Sequence, residues 1–78
     1  MYTATISLSN IDTVKKFVTI TNKYDFPVNL YSDKYVVNGK SIMGIFSLNL
    51  SKPVKLEVTD NCSQEFINDI KPFLRVID

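Results

Sequence analysis

The chain has 78 residues, with nine basic and eight acidic side chains, a net charge of +1 and no histidine. That length allows one domain near the lower size limit for a self-sufficient core, and 45% hydrophobic with 22% charged residues is a globular composition with no sign of disorder. The near-balanced charge gives no electrostatic basis for binding nucleic acid or an anionic membrane.

Met1 to Thr5 shows neither the basic stretch nor the apolar stretch of a signal peptide, so none is expected. From Tyr2 to Leu8 the chain alternates, with Tyr2, Ala4, Ile6 and Leu8 on one side and Thr3, Thr5 and Ser7 on the other, which predicts a half-buried strand. Ser9 and Asn10 are both good helix caps, and Asp12 follows Ser9 at capping-box spacing. Ile11, Val14, Phe17, Val18 and Thr21 recur at helical spacing, so a helix is expected to run to Asn22 or Lys23 and to be closed by Asp25-Phe26-Pro27. Lys15-Lys16 is the strongest basic cluster and reads as a solvated helix face.

Val28–Tyr31 and Tyr35–Val37 are short strands, and Ser32-Asp33-Lys34 between them is turn chemistry, predicting a hairpin. Ser41 caps a short helix over Ile42-Met43-Gly44-Ile45-Phe46, in which Gly44 costs about 1 kcal/mol relative to alanine. Its apolar residues are too many and too evenly spread for all to face a core, so Ile42, Met43 and Phe46 are candidates for docking a protein partner. After the loop Ser51-Lys52-Pro53, Val54 to Val58 alternates as a fourth strand. Cys62 is alone: an intrachain disulfide is excluded, a reducing cytoplasmic setting fits, and without histidine no zinc or other transition-metal site is expected. Asn61 or Ser63 caps a last helix with Phe66, Ile67 and Ile70 inward, and Pro72 is expected to end it near Ile70. The tail from Phe73 to Ile77 then covers the sheet. No apolar run approaches the roughly 20 residues of a membrane span.

The order βαββαβα predicts one α+β domain over residues 1–78, an open-faced β-sandwich with a four-stranded antiparallel sheet and three helices on one face. The second sheet face should be polar or covered by something else. Pairing Asp12 with Glu57 or Asp69 as catalytic carboxylates is not expected, because so small a domain implies no pocket.

The residues Lys23-Tyr24-Asp25, Val28-Asn29-Leu30, Val37-Asn38, Lys40-Ser41-Ile42-Met43-Gly44 and Ser47-Leu48 resemble the HPr family, the phosphocarriers of the bacterial sugar phosphotransferase system. The resemblance runs without gaps from the first helix through the second and implies the same βαββαβα fold. It implies a carrier, not an enzyme, with no cofactor. In that family a histidine at the start of the first helix takes phosphate from Enzyme I and hands it to IIA proteins. Counted back without gaps, the histidine position falls on Asn10, the following arginine on Asp12 and the proline on Thr13. An amide has no basic nitrogen to attack phosphorus, whereas an imidazole does. A carboxylate in place of the arginine repels a phosphoryl group, at roughly 1–4 kcal/mol for charges about 4 Å apart.

The serine before Ile-Met-Gly, here Ser41, is in many Gram-positive relatives phosphorylated by HPr kinase/phosphorylase, and the product is a corepressor for a catabolite-control transcriptional regulator. The resemblance therefore keeps the regulatory serine and loses the histidine, as in Crh-like paralogues. It also implies Asp12 as an acidic neighbour of Ser41. Three functions follow: a regulatory interaction module presenting Ser41, Ile42, Met43 and Phe46; a degenerate paralogue with an unrelated protein-binding role; or a carrier using another nucleophile.

Overall fold

The structure is a computed structural model that describes residues 1–32, 35–59 and 62–75. Strand β1 (Tyr2–Ile6) is followed by helix α1 (Ile11–Thr21), the pair β2 (Asn29–Ser32) and β3 (Tyr35–Asn38), helix α2 (Ile42–Phe46), strand β4 (Val54–Val58) and helix α3 (Gln64–Ile70). A 3₁₀ turn, Lys71–Phe73, continues α3. The strands form one antiparallel sheet in the order β1-β4-β2-β3. The fold is the α+β, four-stranded open sheet with three α-helices that the element order predicts.

Alternation sorts the strand residues between two faces. Ile6, Val54, Leu56, Val58 and Leu30 point toward the helices and are at most 1% exposed. There they meet Val14 and Phe17 of α1, Ile45 of α2 and Phe66 and Ile70 of α3 in a single apolar core. Register lines up Thr3, Glu57, Asn29 and Asn38 as one row of the other face, and Thr5, Lys55, Tyr31 and Val36 as the next. That face is mostly polar, and the Tyr31 hydroxyl donates to Glu57 Oε1 across it at 2.9 Å.

The hairpin register pairs Ser32 with Tyr35, while Asp33 and Lys34, the expected turn, lie outside the described residues, as does the alternative α3 cap Asn61. Ser63 caps α3, its hydroxyl accepting from Phe66 N at 3.2 Å. Pro72 acts as anticipated: its ring tolerates the start of a 3₁₀ turn but not a further α-helical turn, and α3 stops at Ile70.

Two expectations need correction. Ile11 shares the spacing of the buried stripe but is 60% exposed, because the stripe begins one turn later at Val14. Beyond the buried Phe73, the described residues Leu74 and Arg75 do not lie over the sheet. Ser7 N donates to Phe73 O and Arg75 N to Thr5 O, and Leu74 bridges Ile6 in antiparallel sense, so the tail pairs with the outer edge of β1. Unpaired backbone groups on an edge strand favour such an addition over face packing. Val76 and Ile77 lie outside the described residues.

Gly39 sits where the chain turns from β3 into α2. Its N donates to Val28 O at 2.7 Å, and a Cβ there would lie 2.8 Å from Val28 Cγ1 and 3.1 Å from Val28 O. Gly39→Ala is expected to cost about 1–3 kcal/mol by overpacking. Urea denaturation would read this as a lower midpoint at unchanged slope, and an unchanged midpoint would show that this turn has room to spare.

Candidate functional site

At the start of α1, Asn10 is extended (φ −150°, ψ 172°), and its Oδ1 accepts from Thr13 N at 2.8 Å and from Thr13 Oγ1 at 2.9 Å. Of the two possible caps, Asn10 is therefore the one used. Asp12 follows in the first turn and is exposed. A carboxylate there is favoured by the helix dipole.

The other end of α1 holds the beginning of α2. The fully buried Thr21 hydroxyl donates to Gly39 O at 2.9 Å, with Val18 O at 3.1 Å as its local alternative. Asn22 Nδ2 donates to Lys40 O at 3.2 Å, and Lys40 Nζ donates to Tyr24 O. These bonds join α1's last turn to the segment just before Ser41. The Ser41 hydroxyl in turn accepts from Gly44 N at 3.1 Å, as an N-cap should.

Asp12 and Ser41 are thus not neighbours. Asp12 precedes Thr21 by nine positions, and at the helical rise this is about 14 Å along the axis. At a separation of that order, solvent and salt largely screen the repulsion expected between Asp12 and a phosphate on Ser41. Sequence alone had no means of showing that α2 starts at the far end of α1.

Helix α2 divides its apolar residues between two sides. Ile45 is fully buried, and Ile42, one turn earlier, packs against the core and is only half-buried. Met43 and Phe46, also three apart, share the outer side and are 77% and 41% exposed. Of the three docking candidates, Ile42 belongs mainly to the core, and Met43 and Phe46 form the free surface.

A family model described as "PTS HPr component phosphorylation site" matches residues 11–75. This chain belongs to the PTS HPr family. Among solved structures it is similar to HPr-C-His from Thermoanaerobacter tengcongensis, at 31% identity over 90% of this chain and 86% of that one, with a TM-score of 0.75. It also shares the fold of the phosphocarrier protein HPr from Bacillus anthracis str. Ames, at 22% identity, 95% and 94% coverage and a TM-score of 0.70. No curated protein matches the sequence. The HPr match includes Asp12 and Ser41 and begins one residue after Asn10.

Within this HPr fold a polar cluster that sequence reasoning passed over ties the segment just after α1 to α3. The Tyr24 hydroxyl donates to Asp69 Oδ2 at 2.7 Å, and Lys23 Nζ reaches the same oxygen at 3.1 Å. The Tyr24 ring stands edge-on to Phe66 at 5.3 Å and tilts against Phe26 at 5.3 Å. Sequence offers no sign of a pair 45 positions apart. The bond to Asp69, with partial burial and the charges of Asp69 and Glu65 behind it, pushes the Tyr24 hydroxyl up to about 12. The same bond and Lys23 hold the Asp69 carboxyl below its ordinary 3.8.

The sign of the linkage differs at the two ends. A raised tyrosine contributes stability below its ordinary value of 10.0 that is lost as pH climbs toward about 12. A lowered carboxylate contributes stability above 3.8 that is lost as pH falls through its depressed value. Thermal melts should hold level at neutral pH and fall at both extremes, and Tyr24→Phe should shrink both falls. The Tyr31–Glu57 bond, which also raises its tyrosine, leaves part of the alkaline fall in place. Equal falls in wild type and variant would show that this contact does not couple to folding.

The carboxylates are scattered. Glu57 lies on the open sheet face under Tyr31, Asp69 lies on α3, and Asp12 lies in the first turn of α1. Among the described residues no three Cys, Asp or Glu side chains gather as metal ligands, and no helix is long and apolar enough to cross a membrane.

Proposed function

We propose that this HPr-family chain is a cytoplasmic regulatory interaction module and not a histidine phosphocarrier, presenting Ser41 with Met43 and Phe46 to a protein partner of the phosphotransferase and catabolite-control network. The observation that carries the reading is the combination of no histidine in the chain with an exposed apolar pair beside a partly buried cap serine. Asn10, in the family's histidine position, gives its side-chain oxygen to Thr13 and offers no nucleophile. Phosphate on Ser41 would meet the free amides of the first turn of α2, with the Asp12 carboxylate a helix length away.

HPr kinase/phosphorylase and a transcriptional regulator are the partners this reading names. Incubation with the kinase and ATP, read by intact mass, should add one phosphate to wild type and none to Ser41→Ala. No phosphate on wild type would leave the reading to an unrelated partner at Met43 and Phe46. Ser41→Ala should also cost about 1 kcal/mol through the lost cap, whereas Ser41→Asp, a good cap itself, should cost far less.

A further inference from the structure

A groove of about 550 Å³ runs between α1 and the end of α3, away from the α2 surface. Its floor is apolar: Ile20 of α1, and Pro72 and Phe73 of the 3₁₀ turn. Phe73 is only 8% exposed and stands edge-on to the buried Phe17 at 5.7 Å, so the floor is anchored to the core. The rim bears Lys15, Lys16 and Asp69. Asp69 is already engaged by Lys23 Nζ and the Tyr24 hydroxyl, while neither Lys15 nor Lys16 makes an ion pair among the described residues. The free charge at this mouth is therefore positive, over a fixed apolar base.

From this complementarity we infer that the groove docks an acidic segment of a protein partner, one that sets a large apolar side chain on Ile20, Pro72 and Phe73 and carboxylates beside Lys15 and Lys16. The apolar contact supplies affinity, and the two lysines supply orientation and on-rate. An open groove of this size suits a single side chain with its flanking residues and implies weak, transient binding. Attraction through exposed ammonium groups also makes it sensitive to salt. The groove takes no residue from α2, so this docking stands or falls apart from the role of Ser41.

The test is an amide-resolved NMR titration of the full chain with a synthetic peptide of two leucines flanked by glutamates. Saturable shifts at Thr19, Ile20 and Phe73 are expected, weakening on added salt. A peptide with lysine in place of glutamate should leave these amides unmoved. Lys15→Glu with Lys16→Glu should weaken binding by about tenfold or more, equivalent to about 1.4 kcal/mol. The milder pair Lys15→Gln with Lys16→Gln should weaken it less, with both folds verified by unchanged core signals. Four results would each overturn the inference: no shifts; shifts centred on Met43 and Phe46; indifference to charge reversal; or phenylacetate saturating the groove as tightly as the peptide, which would make it a small-carboxylate site.

Discussion

Phe66→Ala should remove a large share of the protein's stability. The Phe66 side chain is fully buried and meets Tyr24 and Phe26 edge-on at 5.3 and 5.2 Å. It is where α3 locks onto the segment between α1 and β2, so truncation opens a cavity between them. Removing a buried phenylalanine costs about 3–5 kcal/mol. A domain of this size has about 4–12 kcal/mol in total at typical stability per residue. The substitution therefore takes a large share of the stability, and near the bottom of that range most of it. Urea denaturation followed by circular dichroism should show a sharply lower midpoint, with Phe66→Leu intermediate. A loss under about 1 kcal/mol would mean that the aromatic cluster does not close as described.

The second large effect is a gain. Wild type should take no phosphate from Enzyme I and phosphoenolpyruvate, and Asn10→His combined with Asp12→Arg should take it. Histidine at position 10 supplies the nucleophilic imidazole nitrogen. Removing Asp12 takes away a carboxylate from the same helical turn, and arginine adds a stabilising charge. Asn10→His alone should label far less, because Asp12 still repels the incoming group. The new histidine also gives up the cap to Thr13, at about 1 kcal/mol, so the double variant should fold less stably than wild type. A label on wild type would revive the carrier with another nucleophile. A double variant without label would place the family's phosphate position elsewhere than the start of α1.

The helices were legible where caps and spacing act locally. Asn10, Ser41 and Ser63 each bond an amide three residues on, so the residues that start each helix lie within one turn of sequence. The α1 stripe from Val14 to Thr21 and the alternation of β4 needed nothing beyond periodicity. Helix α2 was harder, because five residues hold less than two periods. Only contact with the core separates Ile42 and Ile45 from Met43 and Phe46. Ile11 misled for a related reason, since spacing identifies a stripe but not where along the helix the neighbouring layer begins.

What the sequence by itself determined is the element order, the candidate helix caps, the family resemblance and the lack of any imidazole, all of which depend on residue type and short-range spacing. What only the tertiary structure decided is what long-range contacts create. The sheet order β1-β4-β2-β3, the tail on the edge of β1 and the Tyr24–Asp69 bond all join distant parts of the chain. So does the docking of α2's start on α1's last turn through Thr21 and Asn22. That last contact fixes the layout of the site. It brings the segment leading into Ser41 to the end of α1 opposite Asp12, because a rigid α-helix holds its ends apart by its own rise.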